Sequence, residues 1–423
     1  MMKYVCDFCK VFVLDTEKGD KNAGISPGTS LEEVPEGYRC PVCGQPSSYL
    51  KEITDDEFEE KLPGYEKMFP EEQEKESDDI VSYRNKAREL LAGTCAVNKV
   101  CDGNPDRLCM GQKYDRPIGF GGAGQGRTFD ANFKALEKYR FRMRVVKKYA
   151  EPEFTTEFMG QKMRIPVFVS SVSGVRISMN DVINEKDFQK RMIEGASLFG
   201  TVGMSGNTVD YPDHPGVELI GHNKGIGIPV FKPQAMDTLL KLIKRAEKTG
   251  CTAIGVDLDG FGSQNWAYRG KPVYRKSRED LQRIVQSTSL PVMFKGIMAI
   301  EDAKEAYQAG AKAIVISNHG GRVLDYGQGV AEVLPGIAKE LKGKIRIIAD
   351  GAVRTGFDVL KLLALGSDYV SIGRPMARMA LSGGTDGIKQ YLEYVEKDLR
   401  LAMLMTGCDT LKEIDESILV HER

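Results

Sequence analysis

A histidine and an arginine lie three positions apart in the stretch ISNHGGRVLD, residues 316–325, directly after an apolar run. His319 is one of only four histidines in the chain. Imidazole titrates near neutral pH and can remove a proton, while the planar guanidinium of Arg322 can bind a carboxylate through two hydrogen bonds. A turn that ends a buried strand would explain the same residues, so the surrounding elements must decide between the two.

Eight short apolar segments alternate with helical patterns from about residue 160 onward. The segments are 165–171, 200–205, 227–232, 253–259, 292–297, 313–319, 345–351 and 369–374. Continuous apolar strands that alternate with helices indicate parallel strands buried on both faces. Eight such units predict an α/β fold of the (β/α)8 TIM barrel type rather than an open doubly wound sheet.

Polar side chains stand at or near the C-terminal ends of these segments. In a barrel those ends converge on the face that carries the active site. Strands that simply reach solvent also end in polar residues, but a set with two carboxylates, a lysine and a histidine favours a functional site. The set is Asp257, Asp259, Lys295, Ser317, His319, Asp350 and Arg374.

Two Cys-x2-Cys pairs stand near the N-terminus, Cys6 with Cys9 and Cys40 with Cys43. Four thiolates from two short loops suit tetrahedral zinc or iron, and the spacing alone does not choose between those metals. We therefore expect a metal site of four cysteines in this small, turn-rich part of the chain.

The segments KYVCDFC, NAGISPGT and VPEGYRCPVCG resemble rubredoxin over about residues 3–53. The resemblance implies one iron, held by the four cysteines, that cycles between ferric and ferrous states. Lys10 stands where that family usually has a glycine, and Tyr38 stands where a tryptophan is common. A structural zinc is the alternative occupant.

The composition divides the chain into three parts. Residues 1–53 form the metal domain, the acidic residues 54–82 a linker, and residues 83–423 a barrel with an N-terminal helical and cysteine-rich extension. The acidic segment is poor in β-branched residues and cannot bury a core of its own, which is typical of a tether or a solvated helix.

Three further cysteines lie in an irregular stretch before the barrel: Cys95, Cys101 and Cys109. With a fourth partner they could ligate a second metal centre, although their spacing is not a common ferredoxin pattern. Ordinary reduced thiols or a redox-active pair are the alternatives.

The charge and hydropathy of the chain exclude several classes of protein. The formal net charge is -1, which gives no basic field for nucleic acid or anionic lipid. The sequence shows no apolar run long enough to span a bilayer, and MMKYVCDFCK lacks the apolar core of a signal peptide. We expect a cytoplasmic protein with a small-molecule substrate.

Several ordered motifs between about residues 118 and 415 resemble the FMN-dependent α-hydroxy acid dehydrogenases, the family that includes glycolate oxidase and lactate oxidase. The motifs are GGAGQGRTFDANFKALEKYRFRMR, VMFKGI, ISNHGGRVLDYG, IADGAVRTGFDVLKLLALGSDYVSIGRP and MTGCDTLKEI. The resemblance implies bound FMN, oxidation of a 2-hydroxy acid or related CH–OH donor by hydride transfer, and a homo-oligomer of four or more subunits.

The resemblance also assigns catalytic roles. It makes His319 the base and places Asp259 against its ring, where a carboxylate would orient the imidazole and stabilise its protonated form. Arg322 would hold the substrate carboxylate, and Lys295 would place a positive charge beside the flavin ring. Gly320 and Gly321 are expected to leave room for flavin and substrate.

The same resemblance, with the glycines and arginines that end the last two strands, predicts the FMN site. Backbone N–H groups at those strand ends can cradle a phosphate, which makes Gly351, Arg354, Gly373 and Arg374 the phosphate candidates. The full predicted set is Ser171, Val172, Ser173, Ser205, Phe231, Asp257, Lys295, Ser317, Asp350, Gly351, Arg354, Gly373 and Arg374.

The half of the site that would recognise a small hydroxy acid departs from the family pattern. Two tyrosines, a glutamine, a threonine and an arginine of the family are replaced. The aligned positions are Ile118, Phe231, Pro229, Asp257 and residues 262–265. The substitutions argue for a different, larger or more apolar substrate. Lys232, at the end of the third strand, is expected to be solvated, with supply of a replacement charge as its alternative role.

The fusion of a one-electron iron carrier to a flavin barrel predicts an oxidoreductase in which the iron is the one-electron partner of FMN, in an anaerobe. Two alternatives stay open. One is an electron-transfer or redox-sensing protein, with a redox partner protein and without hydroxy acid turnover. The other is a non-redox FMN enzyme similar to type 2 isopentenyl diphosphate isomerase, against which the His319–Arg322 pair argues.

Overall fold

The computed structural model describes residues 3–7, 13–19, 25–35, 37–40, 45–54, 79–91, 121–211 and 214–421. The chain divides into two compact units, residues 1–77 and 78–423. Within the described ranges, no helix combines the length and the apolar composition that crossing a membrane requires.

The N-terminal unit is a small antiparallel sheet. Its strands β1 (Lys3–Cys6), β2 (Val13–Asp15) and β3 (Leu50–Ile53) lie in the order β2-β1-β3. The core beside this sheet contains Tyr38 and two of the predicted metal ligands, Cys6 and Cys40, which are 0% and 3% exposed. Cys9 and Cys43 lie outside the described residues, as do Cys95, Cys101, Cys109 and Ile118.

The second unit is a closed barrel of eight parallel strands, which confirms the predicted TIM barrel. The strands are β7 (Val167–Val172), β8 (Gly203–Gly206), β9 (Ile228–Phe231), β10 (Ile254–Asp257), β11 (Val292–Ile297), β12 (Ala313–Ile316), β13 (Arg346–Ala349) and β14 (Tyr369–Ile372). The pairing of β14 with β7 closes the barrel. Every predicted strand is present, and four of the eight end two or three residues before the predicted end.

Helices surround the strands and also precede and follow the barrel. They are α1 (Ile80–Leu90), α2 (Arg127–Glu137), α3 (Val175–Ser178), α4 (Glu185–Phe199), α5 (Gly216–His222), α6 (Met236–Glu247), α7 (Gln264–Tyr268), α8 (Arg278–Gln286), α9 (Ile300–Gln308), α10 (Val330–Leu341), α11 (Gly356–Ala364), α12 (Arg374–Ser382) and α13 (Gly384–Thr406). The outer faces of the strands and the inner faces of these helices form one large apolar core.

Four short strands form two small antiparallel pairs outside the barrel wall: β4 (Tyr139–Phe141) with β15 (Leu419–His421), and β5 (Thr156–Phe158) with β6 (Gln161–Met163). The β5–β6 hairpin inserts Phe158 against Phe168 and Tyr369, near the N-terminal ends of barrel strands, with ring centroids 4.9 and 5.3 Å apart. This aromatic plug fills one end of the barrel and leaves the opposite end, where the polar residues stand, for the site.

Close packing of α11 on α13 requires a glycine at position 356. A Cβ at Gly356 would overlap the backbone of Leu399 and Val395. Gly336, in α10, has room, since the nearest atom to an added Cβ would be Ile300 Cδ1 at 3.4 Å.

We expect Gly356→Ala to lower the free energy of unfolding by about 1–3 kcal/mol, because backbone atoms cannot yield as a side chain can. The matched variant Gly336→Ala should be neutral or stabilising by up to about 1 kcal/mol. Urea unfolding followed by Trp266 fluorescence measures both, since the chain has one tryptophan. Equal stability of the two variants would contradict the close approach.

Candidate active site

His319 is held by a carboxylate on one ring nitrogen. Its Nδ1 lies 3.0 Å from Asp259 Oδ1 and 3.4 Å from Asp257 Oδ2. Because a carboxylate accepts hydrogen bonds, Nδ1 carries the proton in the neutral ring, and Nε2 is left as an acceptor. Lys232 Nζ lies 3.4 Å from Nε2, in a position to donate to it. The predicted pairing of His319 with Asp259 is therefore present in the structure.

The turn after β12 aims the histidine. His319, Gly320 and Gly321 all have left-handed backbones, with φ of 57°, 60° and 76°. The side chain of Asn318 accepts a hydrogen bond from Gly321 N at 3.1 Å and braces the turn. A non-glycine residue rarely adopts this conformation, so the position of His319 stores backbone strain that its surroundings must hold.

The two glycines of this turn allow close packing, and Gly320 also lines the cavity, where room for flavin and substrate is expected. A Cβ at Gly320 would overlap the guanidinium of Arg374. A Cβ at Gly321 would overlap the backbone of Phe129. The turn thus packs directly against α2 and the first residue of α12.

Asp257 joins two buried lysines. Its Oδ1 lies 3.0 Å from Lys295 Nζ and its Oδ2 lies 2.5 Å from Lys232 Nζ. Asp257 and Lys295 are each 4% exposed and Lys232 is 7% exposed. The expectation of a solvated Lys232 is therefore wrong. An ammonium group buried without a counter-charge would be unstable, and Asp257 supplies that charge to both lysines.

The strand register corrects the assignment of Phe231. Neighbouring strands pair Val230 with Gly255 and Phe231 with Val256, so Phe231 faces the helix layer, where its ring packs on His214 with centroids 5.0 Å apart. Because successive side chains on a strand point to opposite faces, Val230 and Lys232 face the cavity instead. Lys232 therefore presents its side chain to the cavity, and Phe231, which was predicted there, does not.

Most of the other predicted residues line one cavity at the mouth of the barrel. They are Ser171, Val172, Ser173, Asp257, Lys295, His319, Arg322, Asp350, Gly351, Arg354, Gly373 and Arg374. Ser205, Phe231 and Ser317 lie outside this lining. The hydroxyl of Ser317 donates to Asp350 Oδ2 at 2.7 Å and accepts from His319 N at 3.1 Å, so this side chain positions its neighbours.

The charges around the histidine set its protonation. Burial lowers the pKa of His319, and Lys232 and Lys295 lower it further, while Asp257 and Asp259 oppose them. Burial alone would raise the pKa of Asp257. The interactions with His319, Lys232 and Lys295 outweigh burial and hold the pKa of that carboxyl well below its ordinary value. At neutral pH the site therefore holds a neutral imidazole beside an ionised carboxylate.

The pKa of Asp350 is raised, whereas that of Asp257 is lowered. Burial raises the pKa of Asp350 to about 6 against the opposing charge of Lys295. Among the described residues, its Oδ1 and the hydroxyl of Ser371 are buried without a hydrogen-bond partner. Both residues line the cavity, so both polar groups are available to a ligand there.

The cavity fits FMN. Buried polar atoms without a protein partner suit the polar edge of a flavin ring, and Lys295 supplies the positive charge. At the opening of α12, an added Cβ at Gly373 would meet no described atom nearer than 3.7 Å, so the backbone there is open to a phosphate. Arg354 stacks on Phe133, with its guanidinium carbon 3.9 Å from the ring centroid.

Besides the phosphate binding predicted for it, Arg374 connects two parts of the structure through hydrogen bonds and packing. Its Nη2 donates to Gly320 O at 2.9 Å and to Gly121 O at 3.0 Å. The guanidinium also lies over Phe129, 4.8 Å from the ring centroid. Arg374 therefore ties the histidine turn to α2, whatever it contacts in the cavity.

Sequence reasoning missed several residues around the cavity, among them Asn207, Asn265 and Trp266. Asn207 accepts from Lys232 N at 3.3 Å, and Asn265 donates to Ser178 at 3.2 Å. Trp266 is buried beside Asn265 in α7. The one available signal was the chain's lone tryptophan in a polar loop after a strand. Otherwise these residues lie on loops whose direction depends on the fold.

The barrel and its cavity define a flavin-binding oxidoreductase. The chain belongs to the FMN-dependent dehydrogenase family, whose model matches residues 118–271 and 268–421. Residues 3–49 match the rubredoxin family.

Relatives and solved structures agree with this family. The chain is 28% identical over 341 residues to 2-hydroxyacid oxidase 1 of Homo sapiens, covering 70% of this chain and 89% of the relative. It is 29% identical over 359 residues to an L-lactate dehydrogenase of Ectopseudomonas mendocina, covering 72% and 93%. A crystal structure of mandelate oxidase with (S)-2-phenylpropionate superposes with a TM-score of 0.64 at 26% identity, covering 81% of this chain and 97% of that one.

We expect Asp259→Asn to reduce turnover by about 10²–10⁴-fold, because an amide does not hold the Nδ1–H tautomer or stabilise the imidazolium. Asp259 raises the pKa of His319 against the larger effect of burial, so its neutralisation should also move the acid limb of the pH–rate profile to lower pH. Steady-state rates from pH 5 to 9 measure both effects. The exposed Asp237→Asn is the control, and an unchanged profile in Asp259→Asn would count against the pairing.

Asp350 should make the protein less stable as the pH rises. Its carboxyl keeps its proton to about pH 6 when folded but loses it near 3.8 when unfolded, so stability is greatest below the lower value and declines through the upper one. We expect Asp350→Asn to reduce the decline in unfolding free energy between pH 4.5 and 8 by roughly 2 kcal/mol. Urea unfolding with excess FMN tests this, with Asp237→Asn as reference; parallel curves would refute it.

Proposed function

We propose that this chain oxidises a 2-hydroxy acid to the 2-oxo acid, with FMN in the barrel cavity as hydride acceptor and the iron of the N-terminal unit as one-electron partner. The observation that carries the proposal is His319, a buried base of lowered pKa on Asp259, in one cavity with Arg322 and Lys295. The names of the relatives, a 2-hydroxyacid oxidase, a lactate dehydrogenase and a mandelate oxidase, support the substrate class.

His319 takes the proton of the substrate hydroxyl on Nε2. The ring is neutral at the working pH because burial lowers its pKa, so it can accept that proton. Once the ring is protonated, Asp259 and Asp257, 3.0 and 3.4 Å from Nδ1, stabilise the imidazolium. The carboxylates therefore favour the protonated state that the reaction creates rather than the resting one.

Arg322 holds the substrate carboxylate. Its guanidinium contacts Ser178 Oγ at 3.4 Å and Gly121 O at 3.5 Å, which are long distances for hydrogen bonds. A carboxylate that enters the cavity can make shorter, charge-assisted bonds with the same group. The carboxylate would then fix the reacting carbon beside His319.

FMN supplies the capacity to accept a hydride and to release two electrons one at a time. Lys295, on β11, places a positive charge in the cavity that favours added negative charge on the ring. Lys295 is held ionised there: burial acts to lower its pKa, but Asp257, Asp259 and Asp350 together raise it above the ordinary value.

In this proposal residues 1–53 hold one iron through Cys6, Cys9, Cys40 and Cys43, and residues 54–82 are the acidic linker. Thiolates of buried cysteines suit such a site, and Cys6 and Cys40 both lie in the core of their unit. Acceptance of electrons by iron rather than oxygen suits a cytoplasmic enzyme of an anaerobe. The oligomer of four or more subunits is part of the same proposal.

A redox protein without hydroxy acid turnover is the second candidate. The observation that favours it is the apolar side chain of Val230, which lines the cavity on the strand where the family resemblance implies hydrogen-bonding groups to the substrate. The two candidates differ in whether a hydroxy acid reduces the protein.

The fully loaded protein should be mixed anaerobically with glycolate, lactate and mandelate in a stopped-flow spectrophotometer. We expect the flavin absorbance to bleach first and the ferric chromophore to bleach afterwards, because hydride transfer precedes one-electron release. The Cys40→Ser variant should keep the first phase and lose the second. If the flavin bleaches while the ferric signal stays unchanged, electron transfer from flavin to iron is refuted. If no acid changes the flavin absorbance, the result supports the redox protein without hydroxy acid turnover.

A further inference from the structure

Lys232 lies beside the ring nitrogen that receives the substrate proton. Its Nζ is 3.4 Å from His319 Nε2 and 2.5 Å from Asp257 Oδ2, and the side chain lines the cavity. An oxygen atom can lie within hydrogen-bond distance of both Nζ and Nε2, since two bonds of about 2.8 Å span a separation of 3.4 Å. Such an oxygen would donate its proton to the imidazole and accept one from the ammonium group.

We propose that Lys232 is a catalytic residue that binds the 2-oxygen of the substrate opposite His319, and that Asp257 is its positioning residue. The proposal rests on the proposed function. In the step, the O–H bond breaks and its proton goes to Nε2, while the C2–H bond breaks and its electron pair leaves as hydride to the flavin. The C2–O bond becomes a carbonyl, and the Lys232 hydrogen bond to that oxygen is kept throughout.

The placement of Lys232 matches where negative charge develops. As the hydroxyl loses its proton its oxygen becomes more negative, and an ammonium in a buried cavity stabilises that charge more than a neutral hydroxyl would. The family resemblance places a tyrosine on this strand. A lysine therefore changes a neutral hydrogen bond into a charged one, and Asp257 on the neighbouring strand balances the added charge.

Asp257 also fixes the direction of the lysine. One oxygen of the carboxylate binds Lys232 and the other binds Lys295, which anchors it on β11. The main chain of Lys232 is held as well, since its N donates to Asn207 at 3.3 Å. A long flexible side chain is thus restrained at both its base and its tip, as pre-organised catalysis requires.

The pH dependence of the reaction should report that the Lys232 charge lies beside His319. Around His319 the charged groups are Lys232 from the end of β9, Asp257 and Asp259 from β10 and its following turn, and Lys295 from β11. Arg322, from the turn after β12 that also carries His319, lines the same cavity. Lys232 adds to the lowering of the His319 pKa by burial, so its removal should move the acid limb of kcat/KM to higher pH.

The decisive experiment compares Lys232→Met, Asp257→Asn and the double variant with the natural protein. If Lys232 binds the substrate oxygen, Lys232→Met should lose about 100- to 1000-fold in kcat, and the double variant should stay within about tenfold of it. A double variant more than about tenfold more active than Lys232→Met would show that the loss came from the unneutralised carboxylate of Asp257, which overturns the proposal. Lys241→Met, on the exposed face of α6, is the matched control and should behave as the natural protein.

A binding measurement keeps the test independent of turnover. The probes are L-lactate and propionate, which differ by the hydroxyl group, titrated by isothermal calorimetry into the oxidised protein under anaerobic conditions, with the heat of any flavin reduction determined separately. We expect lactate to bind more tightly than propionate, and Lys232→Met to reduce that preference at least tenfold. Equal preference in the natural protein and the variant overturns the role of Lys232.

The two measurements also distinguish failure of the function from failure of the inference. If no 2-hydroxy acid bleaches the flavin, the proposed function fails, while the preference for lactate over propionate still decides whether Lys232 contacts the hydroxyl. If Lys232→Met does not retain FMN, Lys232→Gln replaces it, and a preference that stays at the natural value in that variant overturns the proposal. Normal FMN absorbance and melting temperature are required of every variant.

Discussion

The site depends on a single buried carboxylate. Asp257 lies between Lys232 and Lys295 and within 3.4 Å of His319, so four charged or titratable groups from neighbouring strands share one centre. Without that carboxylate, two ammonium groups would face each other and the imidazole in a low-dielectric cavity. Its ionisation keeps both lysines in place and assists Asp259 in stabilising a protonated histidine. The chemistry proposed for the cavity therefore relies on this cluster more than on any one catalytic side chain.

The barrel makes such a cluster possible because parallel strands in register bring residues distant in sequence to the same height. Three consecutive strands carry these residues: Lys232 follows β9, Asp257 ends β10 and Lys295 lies within β11. The pairing of Asp257 with Lys295 is fixed by the backbone register of β10 and β11. The turn after β12 then brings His319 over the same point, held by Asn318 and packed on Arg374 and Phe129. Backbone strain at His319 is tolerated because these contacts surround it on several sides.

Much of the fold followed from pattern. Apolar segments that alternate with helices were enough for the TIM barrel. Polar strand ends were enough for five of the residues that line the cavity, Asp257, Lys295, His319, Asp350 and Arg374. Two errors have a shared cause. The strand that contains Phe231 is apolar at every position, because both faces of a parallel strand in a barrel are buried, so its sequence shows no alternation that marks the inward face. Phe231 was therefore assigned to the cavity, and Lys232 was expected to be solvated although it is a central member of the site.

By itself, the sequence determined the two families, the order of the strands and the candidate base, since each depends on local motifs such as ISNHGGRVLD. Tertiary structure alone decided which side chains share the cavity. It turned Phe231 outward, buried Lys232, and joined Asp257 to two lysines, because these relations depend on the register between strands. The physical reason is that ion-pair distances across a barrel are set by inter-strand pairing and side-chain direction, which no single segment of the chain contains.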